Sequence, residues 1–508
     1  MKKYFTPLGI IFALEILVVF LAALGIAPRE IILFWTGLAV FFVIFSPPKE
    51  SLWLILASIP LFAALPVFDS FDTMANWRLL MLILFFKVFW NKETLVEAKN
   101  YLKNWRRPEI LFLIIFFLLA ALSIFIASFK ILAIKKLIFI VNAFFLFLIV
   151  KRLARDEKSV LEIWRALAAG GGIVILAALI QFLAVIFVPL FNFWQFWAIK
   201  VISAFYGENL AHLLSYSNTW FAYYSSAPPT LRLFSVFPDS HSFAMFNLLI
   251  IPVFLSLALF FKDKKRKRIF FWILTALALF SVAFSGSRGA WLNVAPALSA
   301  ILFILRRKIE YFLTAKAAWT LILFIVLFVF SAAWPPVFYQ FQAWQKGEGF
   351  SGKFSFFERA KSISDADEIS NKGRLQIWQA SFDSVKKNPI LGVGLGNYVE
   401  VLDENVSAAK KGASAHNLYL DFACEIGLFG AAALIAIFAL ILKRAWLVFR
   451  HSREEYFKFF GLVFLIYFFW ILGYSFFDVV LLNDKVLLLF MAVLGILYSL
   501  KISKKAES

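Results

Sequence analysis

Runs of about twenty predominantly apolar residues, the length that crosses a bilayer as an α-helix, recur from one end of this chain to the other. They fall near 8–26, 30–46, 51–68, 77–90, 110–128, 131–150, 170–190, 242–261, 269–285, 289–305, 317–335, 417–442, 457–475 and 484–500. The fourth and sixth are short or interrupted, so the reading is about 12–14 spans. A soluble chain averages roughly 45–50% apolar and about 25% charged residues. The 508 residues here are 62% hydrophobic and 16% charged. A transmembrane barrel would show short segments alternating with polar lumen positions, whereas these runs are continuous. In lipid a continuous apolar segment satisfies its backbone only as a helix. The fold expected is all-α, a polytopic transmembrane helical bundle forming a single integral membrane domain over 1–508.

The formal net charge of +20 would suit a nucleic-acid partner, but lysine and arginine also set membrane topology. With the N-terminal "MKK" in the cytoplasm, alternation puts "NKETLVEAKNYLKNWRRPE", "KRLARDEKSVLEIWR", "KDKKRKR", "RRKIE", "KRAWLVFRHSREE" and "KISKK" on that side. These are the basic segments of the chain, and they fall on alternate connections. "KDKKRKR" therefore reads as a stop against translocation, and no nucleic acid is expected as a partner. The first apolar stretch resembles a signal peptide, but with so many later spans an uncleaved first helix is the better reading. Lys130, Lys135 and Lys136 sit at the outer end of the sixth span or inside it. They either snorkel to the interface or meet an anionic headgroup, and the residues alone do not choose.

Two long connections then face outward. The first, 191–241, is rich in Trp, Phe and Tyr and is expected along the outer leaflet, where aromatic belts concentrate. The second, 336–416, is the one sizeable hydrophilic region. Within it "GRLQIWQASFDSVKKNP" places Leu375, Trp378, Phe382 and Val385 at helical spacing, an amphipathic helix ended by Pro389 and the glycines beyond. The segment before it, 336–373, reads as a flap. The same outer side collects Arg232 in "LRLFSVFPDSHSF", Arg288 in "FSGSRGAWL", Arg374 in "NKGRLQIW" and His416 in "SAHNLYLDF". That is the side which the positive-inside rule leaves poor in arginine. Guanidinium forks suit phosphate oxygens, so the cluster points to a polyanionic ligand. "SGSRG" also offers small residues at a helix start, an anion-binding arrangement. His416 has a side chain that titrates near neutrality, which suits a general base. Asn417 and Tyr419 follow it, either able to orient a sugar or the ring.

Other chemistries fit poorly. "GVGLGNY" lacks the dinucleotide spacing and a preceding strand, and reads as a tight turn positioning Tyr398. No histidine or carboxylate cluster has metal-ligand spacing, and no cofactor is expected. The single cysteine, Cys424, excludes a disulfide framework. Asp239, Ser240 and His241 are consecutive and do not make a hydrolase triad.

At these residues the chain resembles the O-antigen ligase and polymerase family of bacterial membrane glycosyltransferases. The matching pieces are "RLFSVFPDSHSFA", "FSGSRGAWL", "GRLQIWQASFDSVKKNPILGVGLGNY" and "SAHNLYLDFACEIGLFG", in the family's order, over roughly 230–445. The resemblance implies a metal-independent glycosyltransferase of the GT-C type in the cytoplasmic (inner) membrane, its active site facing the periplasm or cell exterior. The donor implied is an undecaprenyl-diphosphate-linked glycan, and the acceptor a hydroxyl on a glycan, lipid A core or protein. Arg288 and Arg374, with Arg232 second to them, would bind the diphosphate. His416 would activate the acceptor, with inversion at the sugar. Where the family often has asparagine-proline-asparagine, this chain has "PDSHSF", which leaves Asp239 and His241 without an assigned role. A repeat-unit polymerase or a protein O-oligosaccharyltransferase would share these motifs. A flippase for the same lipid-linked glycan is the alternative of another class, but it should carry its charges along a central path rather than at one face.

Overall fold

A computed structural model describes residues 6–67, 74–90, 105–215, 220–222, 229–345, 369–402 and 414–502. Most of the 336–373 flap lies outside the described residues. Thirteen of the fourteen apolar stretches coincide with a helix, and the third, 51–68, is α-helical only as far as Ala57. The helices are α1 (Pro7–Ala23), α2 (Ile31–Phe45), α3 (Pro48–Ala57), α4 (Trp77–Phe89), α5 (Pro108–Ile126), α6 (Lys130–Leu153) and α7 (Glu157–Phe187), followed after a connecting segment by the rest. That segment holds α8 (Leu190–Phe196), a π-helical stretch over Trp197–Ile202, α9 (Ser203–Tyr206) and α10 (Glu208–Ser215). Then come α11 (Ser240–Phe260), α12 (Lys265–Phe284), α13 (Arg288–Leu292), α14 (Val294–Arg306), α15 (Tyr311–Gln345), α16 (Ile369–Lys387), α17 (Leu418–His451), α18 (Glu455–Tyr474) and α19 (Asp484–Ser499). Among the described residues nine helices are long and apolar enough to cross a membrane, α13 and α14 counting as one, and α1 and α2 are shorter apolar helices. The protein is a multi-pass, all-α bundle.

The helices sort by how much of their surface the protein covers. In α11, 89% of the most apolar stretch is buried, against 17% for α5. α11 is thus the central post, packed on α12, α18, α7 and α19. α5 faces outward on all but a narrow stripe, Phe116, Ala120 and Ser123, that meets α17. In a bilayer apolar burial gives little drive between helices, so packing and polar contacts must hold the bundle together. Small residues let backbones approach. A methyl on Gly171 would sit 2.8 Å from Phe254, and one on Gly461 2.7 Å from the Phe449 amide.

The described residues of the 191–241 segment do not form an open loop. Phe193, Trp197, Ile202, Phe205 and Trp220 are buried in the main core, and Phe221–Ala222 pairs with Thr230–Leu231 as a two-stranded ribbon. Buried Gln181 of α7 accepts from the Ser235 amide at 2.7 Å and the Phe234 amide at 3.2 Å, and Trp197 donates to the Ser235 carbonyl at 3.0 Å. Ser235, at φ 52°, is thereby fixed in a left-handed turn. The aromatics that the sequence assigns to a lipid belt hold the Arg232 strand against the bundle instead, because that irregular backbone needs partners inside the protein.

α16 spans the amphipathic stretch and stops at Lys387, before Pro389. Its protein-facing side carries Ile377, Trp378 and Ser381, while Leu375 and Phe382 are 56% and 50% exposed. The expected four-residue stripe is therefore split. The helix packs on α17 and turns two of its apolar residues outward, as a helix lying between protein and lipid does.

α17 is broken. Gly427 has φ 76° and ψ 175° inside it, a conformation essentially confined to glycine. The carbonyls that the break frees are taken by the glycine turn. The Val393 amide donates to the Cys424 carbonyl at 2.8 Å and the Gly394 amide to the Glu425 carbonyl at 3.0 Å, while the Leu428 amide donates to Pro389 at 2.8 Å. Gly392, Gly394 and Gly396 all have positive φ, and a methyl on Gly392 would lie 2.1 Å from the Cys424 carbonyl oxygen. "GVGLGNY" is indeed a tight turn, and its glycines serve its close approach to α17.

Candidate functional site

The site is built at one end of the bundle, where the 229–241 strand, the α12–α13 turn, the start of α16, the 414–418 junction and the α18–α19 loop converge. Arg232 is 8% exposed. Its Nε donates to the Ser285 carbonyl at 2.8 Å, and its Nη2 lies 3.4 Å from His241 Nε2. A guanidinium can only donate, so His241 Nε2 accepts and Nδ1 carries the ring proton. That Nδ1 faces Ser287 Oγ and the Tyr474 hydroxyl, each at 3.0 Å, and Asp478 Oδ2 at 3.5 Å. Tyr474 and Ser287 are themselves 2.6 Å apart.

Serine, histidine and aspartate thus meet here, but not as a hydrolase triad. Serine and carboxylate approach the same ring nitrogen, whereas a triad needs them on opposite ones. Ser287 is fully buried, and its hydroxyl also caps α13 by accepting from the Ala290 amide at 3.4 Å. The helix start that "SGSRG" offers to an anion is five residues long and has its own serine in that place. What the turn does give is a half-buried Arg288, one residue beyond the Ser287–His241 contact.

Asp478 lies in the α18–α19 loop, 7% exposed. Burial pushes its carboxyl up to about 6, against the downward pull of Arg374 and Arg232. A single carboxylate therefore feels both of those arginines, which come from segments far apart in the chain. Asp239 caps α11, its oxygens accepting from the Ser242 amide and hydroxyl at 2.7 Å each, and burial raises its carboxyl too. Lys485, at the start of α19, is wholly buried. It donates to the Pro60 carbonyl at 2.9 Å and lies 4.0 Å from the Phe205 ring centre, fastening the N-terminal helices beneath the site.

His416 arrives from the other side. It is partly buried and has φ 47°, a left-handed conformation that histidine adopts more readily than most residues. Two residues on, the Leu418 amide donates to the Ser475 carbonyl at 2.8 Å, three residues before Asp478. Trp378, one turn along α16 from Arg374, donates to the Ala415 carbonyl at 3.0 Å. His416, Arg374 and the Asp478 loop are stitched together by these two hydrogen bonds.

The three residues singled out as supports are each held by hydrogen bonds within the fold. Asn417 Oδ1 caps α17, accepting from the Tyr419 and Leu420 amides at 3.0 and 3.1 Å. Tyr419 donates to the Leu472 carbonyl at 2.9 Å. The Tyr398 hydroxyl lies 2.7 Å from Ser381 Oγ, joining the glycine turn to α16 inside a small core with Ile377, Ala415 and Cys424. Asp478 is the residue that the sequence did not bring forward, and His241 the one that it left without a role. Asp478 is a lone acid between two apolar runs, a weak signal that arginines on other segments make meaningful.

Residues 273–435 match the family model described as O-antigen ligase. That bears out the resemblance read from the sequence, and the matched stretch contains Arg288, Arg374 and His416. The chain is also 26% identical over 211 residues, 40% of its length, to an uncharacterized protein of Haemophilus influenzae. It spans about half the length of that curated relative.

Proposed function

We propose that this protein transfers a glycan from undecaprenyl diphosphate to an acceptor hydroxyl at the outer face of the cytoplasmic membrane. The observation that carries this reading is that Arg232 and Arg374, far apart in the chain, both act electrostatically on Asp478 at one end of a membrane bundle, with the His416 segment bonded into the same loop. The match to the O-antigen ligase family supports a membrane glycan-transfer role.

The arginines, Arg288 with them, hold the lipid diphosphate. Charge grows on the leaving oxygen as the sugar–phosphate bond breaks, and guanidinium groups already fixed beside that oxygen stabilise the transition state more than the ground state. His416 accepts the proton from the acceptor hydroxyl while its oxygen attacks the anomeric carbon from the face opposite the diphosphate. One glycosidic bond forms with inversion, the bond to phosphate breaks, and undecaprenyl diphosphate leaves with the electron pair. Lipid A core, another lipid-linked glycan and a protein hydroxyl all meet the chemistry required of the acceptor.

The test is transfer by the purified protein in proteoliposomes, with lipid-linked donor and each acceptor class in turn. His416→Ala is expected to lose about 10²–10⁴-fold in turnover while still binding donor. Full turnover in that variant would remove His416 from the mechanism. Binding of donor without any transfer, but with its movement across the bilayer, would favour a flippase.

A further inference from the structure

Apart from the arginine cluster, three charges are gathered inside the protein between α6 and α17. Lys136 Nζ lies 2.5 Å from Glu425 and 3.5 Å from Asp421, whose side chains are 2% and 4% exposed. Asp421 and Glu425 stand one turn apart on the first half of α17, and buried carboxylates so placed need a counter-charge. A buried ion pair by itself says little beyond architecture. The other oxygen of Asp421 says more. Oδ1 accepts the Ala415 amide at 3.0 Å, and the Ala415 carbonyl accepts from Trp378. Both backbone polar groups of fully buried Ala415 are therefore tied, immediately before a histidine held at φ 47°. With the Leu418 amide bonded to Ser475, the backbone is pinned on both sides of His416.

We propose that Asp421, with Lys136 as its counter-ion, is a positioning residue for His416. Its carboxylate fixes the Ala415 amide and so sets the direction in which the imidazole leaves the chain. The inference rests on the reading of His416 as the base. It extends the site into α6, which lies outside the 273–435 family match.

The test uses the full-length protein and two readouts. The first needs no substrate: the rate of His416 modification by diethyl pyrocarbonate, followed by mass spectrometry, with His451 at the far end of α17 as internal reference. Asp421→Ala is expected to change the His416 rate by about threefold or more, and Asp421→Asn, which keeps an acceptor for the Ala415 amide, to stay within about twofold. The second is transfer from lipid-linked donor. Asp421→Ala should lower kcat about tenfold or more at unchanged donor KM. Asparagine should restore most of that, and Asp421→Ala should add nothing to His416→Ala. Unaltered His416 reactivity in Asp421→Ala overturns the proposal, as does a further loss on top of His416→Ala. Full turnover in His416→Ala instead overturns the general-base reading, and the modification rates then judge the positioning alone. Should Asp421→Ala fail to fold, two charge-free triples carry the comparison: Lys136→Met with Glu425→Gln, plus either Asp421→Asn or Asp421→Leu. Equal His416 reactivity in those two also overturns the proposal.

Discussion

Asp478 sits in the field of two arginines and within 3.5 Å of a histidine nitrogen, so its charge state decides how much positive potential the site offers. Burial holds the carboxyl up at about 6. Below that pH it is neutral and no longer offsets the charge of the arginines. Above it the carboxylate competes with any bound phosphate for them. Donor KM is therefore expected to fall as the pH drops from about 7 to about 5, and Asp478→Asn to give a low KM across the same window. Steady-state kinetics with lipid-linked donor check this. An asparagine variant that binds donor poorly at every pH would show that the carboxylate serves to hold the arginines instead. At this scale the sequence was only partly legible. Arg232, Arg374 and His416 stood out because they are polar residues on a side where the charge pattern does not want them. Asp478 did not, because it takes its meaning from partners in distant segments. Lys136 stood out as misplaced, but not its partner, since Glu425 is 289 residues away.

The elements were readable where one physical signal governs them. Apolar length marked the helices, the stretch 51–68 excepted beyond Ala57, and the α16 pattern with Pro389 behind it marked that helix and its end. The break in α17 was not readable, since "EIGLFGAAAL" is as apolar after Gly427 as a straight helix would be. Only the glycine turn lying against it explains the interruption. A methyl group at Gly427 would come 2.0 Å from the Ile390 carbonyl oxygen, on a backbone conformation that alanine does not tolerate. Gly427→Ala is thus expected to destabilise the protein by about 3 kcal/mol or more, read as a lower melting temperature in detergent. Gly172, in the middle of α7, is the control, because a methyl group there would meet nothing within 4 Å. At that position alanine should be neutral or stabilising by about 0.5–1 kcal/mol. Equal effects at the two positions would refute the account of the break.

Over the whole molecule, the alternation of basic loops predicts that the arginine-bearing end faces outside. Single-cysteine labelling tests this well, because the native Cys424 is fully buried, with Sγ 3.5 Å from the Ser381 carbonyl. Lys372→Cys, at an exposed position beside Arg374, should react with a membrane-impermeant maleimide in intact cells. Lys264→Cys, exposed at the opposite end, should react only after permeabilisation. The reverse pattern would invert the topology and move the site to the cytoplasm. The Lys136 pairing also carries a consequence for how the chain is made. Trp378 and Ala415 are 37 residues apart, so that contact closes among neighbours as they emerge from the ribosome. α6 is inserted long before, carrying its lysine toward a pair of acids not yet synthesised. A nascent chain that stops short of Leu418 lacks those acids, so the lysine is left without the counter-charges that Asp421 and Glu425 supply. Truncation before Leu418 should accordingly shorten the half-life of the fragment, and Lys136→Leu should lengthen it again.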